Sequence, residues 1–477
     1  MRKIITVILT LILMISCFGG CSKTGEANSP ESSSPAESSA GQITEDEASD
    51  DWSDSDTKIE LNGSSISVSG SGAAVDGSVV TINTGGTYIV SGELQDGQIS
   101  VAATNTDEVH IVLNGVDITN KTGAPIYASQ CDNLTVTLAE GTQNILTDGG
   151  SDFKYSDTTN EEPNAALFCK DDLTINGTGS LTVNAGFNNG IGSKDNLLIE
   201  NGNITVNAAN HGLRGNDSVT VSNGSLNIIA GNDGIQTNNT EDASLGWISI
   251  ENGTIKITAG HDGIQADTSV DISGGDLNIT AGVESLSEST SDSYKGINAA
   301  ADITVAGGSF IIESEDDSIH SNGNITIEGG TFIISSGDDG IHADGNLTVN
   351  SGTIKITESF EGLEASNIII TDGTIDIVSS DDALNAAGGT DQSVGGGRFG
   401  KDNFAAGGAY SIAISGGSIT FYAGGDGIDS NGTINISGGT IIAMINSSSD
   451  NGALDADGAT TFTGGTIIYG GTGTGSI

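Results

Sequence analysis

From residue 58 onward, apolar and polar residues alternate in runs of three to six, broken by Gly-Gly, Asn-Gly and Asp-Gly pairs. Alternation at period two marks half-buried strands, and those dipeptides mark corners. The runs recur as a unit. Three consecutive versions read DDSIHSNGNITIEGGTFIISSG, DDGIHADGNLTVNSGTIKITES and FEGLEASNIIITDGTIDIVSS. With the aliphatic residue after the Asp-Gly-like pair as anchor, the series runs Leu167, Ile191, Leu213, Ile235, Ile264, Ile297, Ile319, Ile341, Leu363, Leu384, Ile428 and Leu454. The commonest spacing is 22 residues, and fainter units anchor near Ile99 and Ile126. Within the unit of Ile341, I-H-A, N-L-T-V-N and T-I-K-I-T are three short strands. A 20–50-residue period denotes a stacked array, whose coils bury an inner face only against their neighbours. No stretch after residue 57 follows a 3.6-residue period. The pattern therefore predicts an all-β chain: a single-stranded right-handed parallel β-helix of about 22 residues and three strands per coil.

The ends depart from the period. Residues 58–96 alternate without the 22-residue repeat and are expected to cap the first coil, where an open edge invites aggregation. Residues 21–57 are rich in Ser, Glu and Asp and almost free of apolar side chains, the composition of a flexible tether. Before them, Arg2 and Lys3 precede an apolar run from Ile4 to Ile15, a secretory leader rather than a spanning helix. It ends in Phe18-Gly19-Gly20-Cys21, which resembles a bacterial lipobox, although that pattern prefers Leu where Phe18 stands. The expectation is a signal peptide over 1–20, lipidation at Cys21, and a protein exported and held on the outer face of the cell membrane. The alternative is a plain secretory signal cut nearby. The β-helix itself is expected over 97–477.

Charge then narrows the partners. Fourteen Lys and Arg stand against 63 Asp and Glu, a formal net charge of −49. Phosphate neutralisation has no electrostatic footing here, which argues against nucleic acid. With 71 Gly but only 4 Pro, the chain is neither collagen-like nor a Pro/Gly-rich disordered segment. Cys131 and Cys169 are the two cysteines of the body; an exported chain permits a disulfide between them, but one pair is not a framework.

Equivalent positions of successive coils stack into columns. Two residues before the anchors stand Asp233, Asp262, Asp317, Asp339, Asp382 and Asp426, doubled by Asp316, Asp338 and Asp381. Bare carboxylates one strand apart repel, and a hard cation such as Ca2+, with six to eight oxygen ligands, turns that cost into a gain. The same residues could instead cap backbone at Asp-Gly corners. One residue after the anchors stand Gln265, His320, His342, Glu364 and Asp429, expected on the outer face above a floor of small glycines, where they could hydrogen-bond sugar hydroxyls. Trp247, beside an insertion, could stack on a sugar ring. The plain alternative is a solvated strand face, and stacked imidazoles such as His320 and His342 also occur on such faces. Catalytic signatures are weak. Carboxylate pairs are too abundant to define a glycosidase, and G-x-S-x-G and H-E-x-x-H are absent.

The units DDGIHADGNLTVNSGTIKI, HDGIQADTSVDISGGDLNITAG and GDGIDSNGTINISGGTI, behind the lipobox-like leader, resemble the calcium-binding, polysaccharide-binding β-helix family of bacterial surface proteins, with a pectate-lyase-like fold. The resemblance covers most of residues 60–475. It implies surface-anchored, non-catalytic binding of cellulosic or pectic cell-wall polysaccharides, with Ca2+ held by acidic residues among the Asp pairs above. Two alternatives stay open: a polysaccharide lyase or hydrolase on the same scaffold, and a structural or adhesive surface protein.

Overall fold

The computed structural model describes residues 52–53, 56–283, 293–387, 410–446 and 451–470. The leader, Cys21 and most of the tether lie outside these residues, as do most of the insertions after Gly282 and Ala387. Among the described residues the chain is almost entirely strand, with one turn of 3-10 helix at Gly150–Asp152. The strands join into one extended, mostly parallel sheet.

Among the described residues, antiparallel strand pairs occur at the start of the chain, with one isolated antiparallel bridge between Asp157 and Glu162. Thr57–Gly63 folds back on Ile66–Ser69, and Ala73–Asp76 on Val79–Ile82. Each hairpin then hands over to a parallel partner, Gly86–Leu94 and Gln98–Ala102 respectively. Trp52 packs on Ile89, Val112 and Ala139, so ordered contacts begin five residues before the first strand.

From Gln98 the anchors pair with one another. Ile99 lies beside Ile126, Ile126 beside Leu167, and Leu167 beside Ile191. Ile319 lies beside Ile341, Ile341 beside Leu363, and Leu363 beside Leu384. Leu384 skips 44 residues to pair with Ile428, so the insertion leaves the register untouched. The other two strands of each unit stack likewise, as in Ile303 beside Ile325 and Phe310 beside Phe332. Parallel pairing with a sequence offset near the repeat length is what stacked coils require.

Alternation decides what the core contains. Along Thr331–Ser336, Phe332 and Ile334 are buried while Thr331 and Ile333 are exposed. Phe310 and Phe332 stack inside with ring centroids 4.5 Å apart. Ile334→Val should cost about 0.5–1.5 kcal/mol, the usual loss for one buried methylene. Ile333→Val, at a position 45% exposed, should stay within about 0.5 kcal/mol. Urea denaturation of the two variants checks this; equal effects would contradict the inside-outside assignment.

The glycine that precedes most anchors has a different role from an open floor. A Cβ on Gly340 would lie 2.5 Å from Ile356 Cδ1 and 2.6 Å from the Gly362 carbonyl oxygen. Gly263 has the same surroundings, with Ile279 and the Gly296 carbonyl. These glycines face the core and the next coil, and are small because two backbones meet there.

Candidate functional site

The candidate site runs along the outer side of the anchor strands, from the coil of Ile235 to that of Leu454. Its first component is the column two residues before each anchor. Asp233, Asp262, Asp317 and Asp339 are buried, and Asp382 and Asp426 half-buried. In each, one carboxylate oxygen accepts the backbone N–H of the same position one coil further on. Asp262 N–H donates to Asp233 Oδ1 at 3.1 Å, and Lys295 N–H to Asp262 Oδ1 at 2.8 Å. Asp339 N–H donates to Asp317 Oδ1 at 3.0 Å, Glu361 N–H to Asp339 Oδ1 at 3.0 Å, and Asp426 N–H to Asp382 Oδ1 at 2.5 Å. A buried corner N–H needs such a partner, which explains an Asx-type side chain there. The aspartates do cap backbone, but across coils rather than within their own turn. Their second oxygens are left for other work.

Those second oxygens face the residues one after the anchors. Here the structure corrects the outward placement: His320, His342 and Glu364 are only 4%, 5% and 4% exposed. Gln265 and Asp429 remain partly exposed. The physical reason is convergence. His342 Nδ1 lies 3.6 Å from carboxylate oxygens of Asp317, Asp339 and Glu364, and its Nε2 lies 3.7 Å from Asp344. The corner carboxylates thus fold over the strand that precedes them and follows them, and cover it. Replacing His342 or Glu364 by Ala would open a buried cluster, so neither is the simple surface probe that alternation implies.

Lys295 brings a fixed cation into this cluster. Its Nζ lies 2.7 Å from Asp316 and 3.5 Å from Asp317, and the side chain is nearly fully covered. Burial works against ionisation of Asp317, but Lys295, His342 and His320 hold its carboxyl well below the ordinary range. Burial likewise disfavours a charged His342, yet Asp317, Asp339 and Asp344 push it up to about 9. Asp339 is raised well above its ordinary value by burial and by neighbouring Glu364 and Asp317. The raised proton affinity of His342 and Asp339 thus works against the negative charge that the cluster gathers.

Elsewhere along the row, oxygens dominate. Burial and Asp233 raise Asp262 to about 7. Burial, with Asp381, Asp429 and Asp426 close by, raises Asp382 to about 8, and Asp429 reaches about 6 through burial and Asp426 and Asp455. Two all-carboxylate groups have ligand oxygens within 4.8 Å of one another: Asp316 with Asp317 and Asp338, and Asp426 with Asp429 and Asp455. Their donor sets, oxygens only, fit a hard cation such as Ca2+.

Asp344 escaped the sequence pattern, although it closes the middle cluster. Glu361 and Asp455 stand in the two columns that the repeat defines, and Asp455 completes the last carboxylate group. Trp247 opens the strand Trp247–Ile250 and pairs with Ser218, which places it on the strand after the anchor strand rather than in the carboxylate row. Cys131 and Cys169 are buried free thiols with sulfurs 3.9 Å apart.

A solenoid that concentrates carboxylates, amides and imidazoles along one strand carries a polar strip rather than an apolar pocket. The family model of the carbohydrate-binding domain-containing proteins matches residues 76–340 and 338–474, and the chain belongs to that family. A carbohydrate-binding domain-containing protein of Acetivibrio thermocellus is 44% identical over 137 residues, 29% of this chain and 48% of the relative. The match thus spans about half the length of that relative. A solved structure of a polysaccharide lyase-like protein from C. thermocellum, a gadolinium derivative, is 42% identical, covering 48% of this chain and 92% of that one with a TM-score of 0.47.

Proposed function

We propose that the protein is a surface-anchored, non-catalytic polysaccharide-binding solenoid whose carboxylate strip is assembled with Ca2+. The fold is then a right-handed parallel β-helix with a coil of about 22 residues, exported and tethered through Cys21. The ligands are cellulosic or pectic cell-wall chains. The observation that carries this reading is the strip itself, in a chain of a carbohydrate-binding family: second carboxylate oxygens at successive coils, aimed along one strand.

The groups holding Ca2+ are Asp316, Asp317 and Asp338 at the middle and Asp426, Asp429 and Asp455 towards the C-terminal end, with Asp233, Asp262, Asp339, Asp381 and Asp382 adding oxygens along the row. The ion supplies positive charge that the strip otherwise draws from few basic side chains. Gln265 and Asp429, the partly exposed members of the next column, are the side chains available to sugar hydroxyls. An anionic pectic chain requires the ion as a bridge between carboxylates; a neutral chain uses hydrogen bonds alone.

Pull-down on a panel of insoluble and acidic polysaccharides, with calcium and with chelator, tests the reading. Acidic chains should bind only with calcium, and neutral chains in both conditions. No binding to any chain would overturn it. Release of unsaturated uronides or reducing ends in the same incubations would replace it with the lyase or hydrolase alternative.

A further inference from the structure

We infer that His320, His342 and Asp317 form a buried nitrogen-oxygen site for a divalent transition-metal ion, which shares Asp317 with the all-oxygen group of Asp316 and Asp338 but differs from it in its two imidazoles. The inference is independent of which glycan, if any, the strip binds.

The three side chains come from two successive coils, Asp317 and His320 from one and His342 from the next, and bring their ligand atoms within 4.8 Å of one another. His342 Nδ1 and Asp317 Oδ2 are 3.6 Å apart, beyond hydrogen-bond length. A tetrahedral ion with bonds of about 2.0–2.2 Å separates its ligands by roughly 3.3–3.6 Å. The spacing is too long for a hydrogen bond and right for a shared ion. The imidazole rings stand at 90° with centroids 5.0 Å apart, so neither blocks the other by stacking.

A second observation is independent of the clustering. Asp317 is 1% exposed, yet its Oδ2 accepts no hydrogen bond and has only the longer ion-pair contacts with Lys295 and His342, at 3.5 and 3.6 Å. Leaving a carboxylate oxygen so placed is costly unless a cation supplies the missing interaction. Lys295 does not fully supply it, because its short contact is with Asp316 at 2.7 Å and Asp317 lies at 3.5 Å.

The orientation of His320 supports the same conclusion. Asn298 Nδ2 donates to Asp262 Oδ2 at 2.8 Å, which fixes the amide and turns its oxygen towards His320 Nδ1 at 3.2 Å. His320 Nδ1 is then the N–H donor and Nε2 the lone-pair nitrogen. A ligating histidine whose other nitrogen donates to a carbonyl, itself oriented by a carboxylate, is the usual arrangement behind a bound metal. Two imidazoles and one carboxylate favour zinc, nickel, cobalt or iron over Ca2+, which takes oxygen.

The test uses the full chain after chelator treatment. One equivalent of Co2+ should produce visible absorption that a hundredfold excess of Ca2+ does not abolish. His320→Ala and His342→Ala should each remove it, and Asn298→Ala should weaken Co2+ binding by about 10–100-fold. X-ray absorption of the unmodified protein with one equivalent of Zn2+ should report two imidazole ligands, a readout that holds even if a variant misfolds. An oxygen-only first shell, or Co2+ binding unchanged in both histidine variants, would overturn the site.

Discussion

Asp317→Ala is expected to be the most damaging single change on the strip, costing about 3–5 kcal/mol. Asp317 does two things at once. Its Oδ1 accepts the Asp339 N–H at 3.0 Å, and its Oδ2 faces the buried cations Lys295 and His342 at 3.5 and 3.6 Å. Ala removes both and leaves buried positive groups less compensated. Asp317→Asn keeps the acceptor for Asp339 and removes only the charge, so it should recover about 1–3 kcal/mol, the cost of an unsatisfied buried amide. Urea denaturation at neutral pH in chelator separates the two terms. Because an array can open locally, hydrogen exchange at Asp339 and Ser318 provides the matching local measure. Equal losses for Ala and Asn would mean that the cross-coil hydrogen bond carries no weight.

Without divalent cations, stability should fall steadily as pH rises from about 4 to about 9. Asp262, Asp382, Asp429 and Asp195 have folded values of about 7, 8, 6 and 6, against 3.8 for the ordinary carboxyl. Burial is the leading cause in each. Between the two values the folded chain holds a proton that the unfolded chain has released, so unfolding releases protons and rising pH favours it. His342, raised to about 9, acts in the same direction, its contribution full below 6.5 and lost towards 9. Asp317, held low, opposes them only at the acid end, where its contribution is lost as pH falls below 3.8. Maximum stability in chelator should therefore lie near pH 4–5. Calcium should reverse the alkaline decline, because ions replace the missing protons: a hundredfold excess over Kd gives about 2.7 kcal/mol per site. Thermal melts at pH 5 and pH 8, with calcium and with chelator at equal ionic strength, check both parts. A calcium gain no larger at pH 8 than at pH 5 would break the link between ion and carboxylate row.

The coil stacking was legible in the sequence because it depends on period alone. Each aliphatic anchor, from Ile99 to Ile428, pairs with the next one predicted, even across the insertion between Leu384 and Ile428. The column of aspartates was legible for the same reason. What the period could not convey was cover. Alternation puts His342 opposite Ile341 and Ala343, and so away from the core, but says nothing about what lies beyond it. That depends on Asp317 and Glu364 from the coils on either side, and on Asp339 and Asp344 from the flanking corners, all leaning onto one imidazole. The preceding glycine misled in the opposite sense: a small residue reads as an open surface, whereas at Gly340 it marks backbone against backbone.

The pairing of Leu384 with Ile428 across 44 residues has an evolutionary corollary. The flanking coils keep the same neighbours, so the frame on either side holds whatever length is inserted there. Doubling the length of a loop costs only about 0.6 kcal/mol of closure entropy. Selection can therefore lengthen, exchange or delete the inserted length between Leu384 and Ile428 at little expense to the frame.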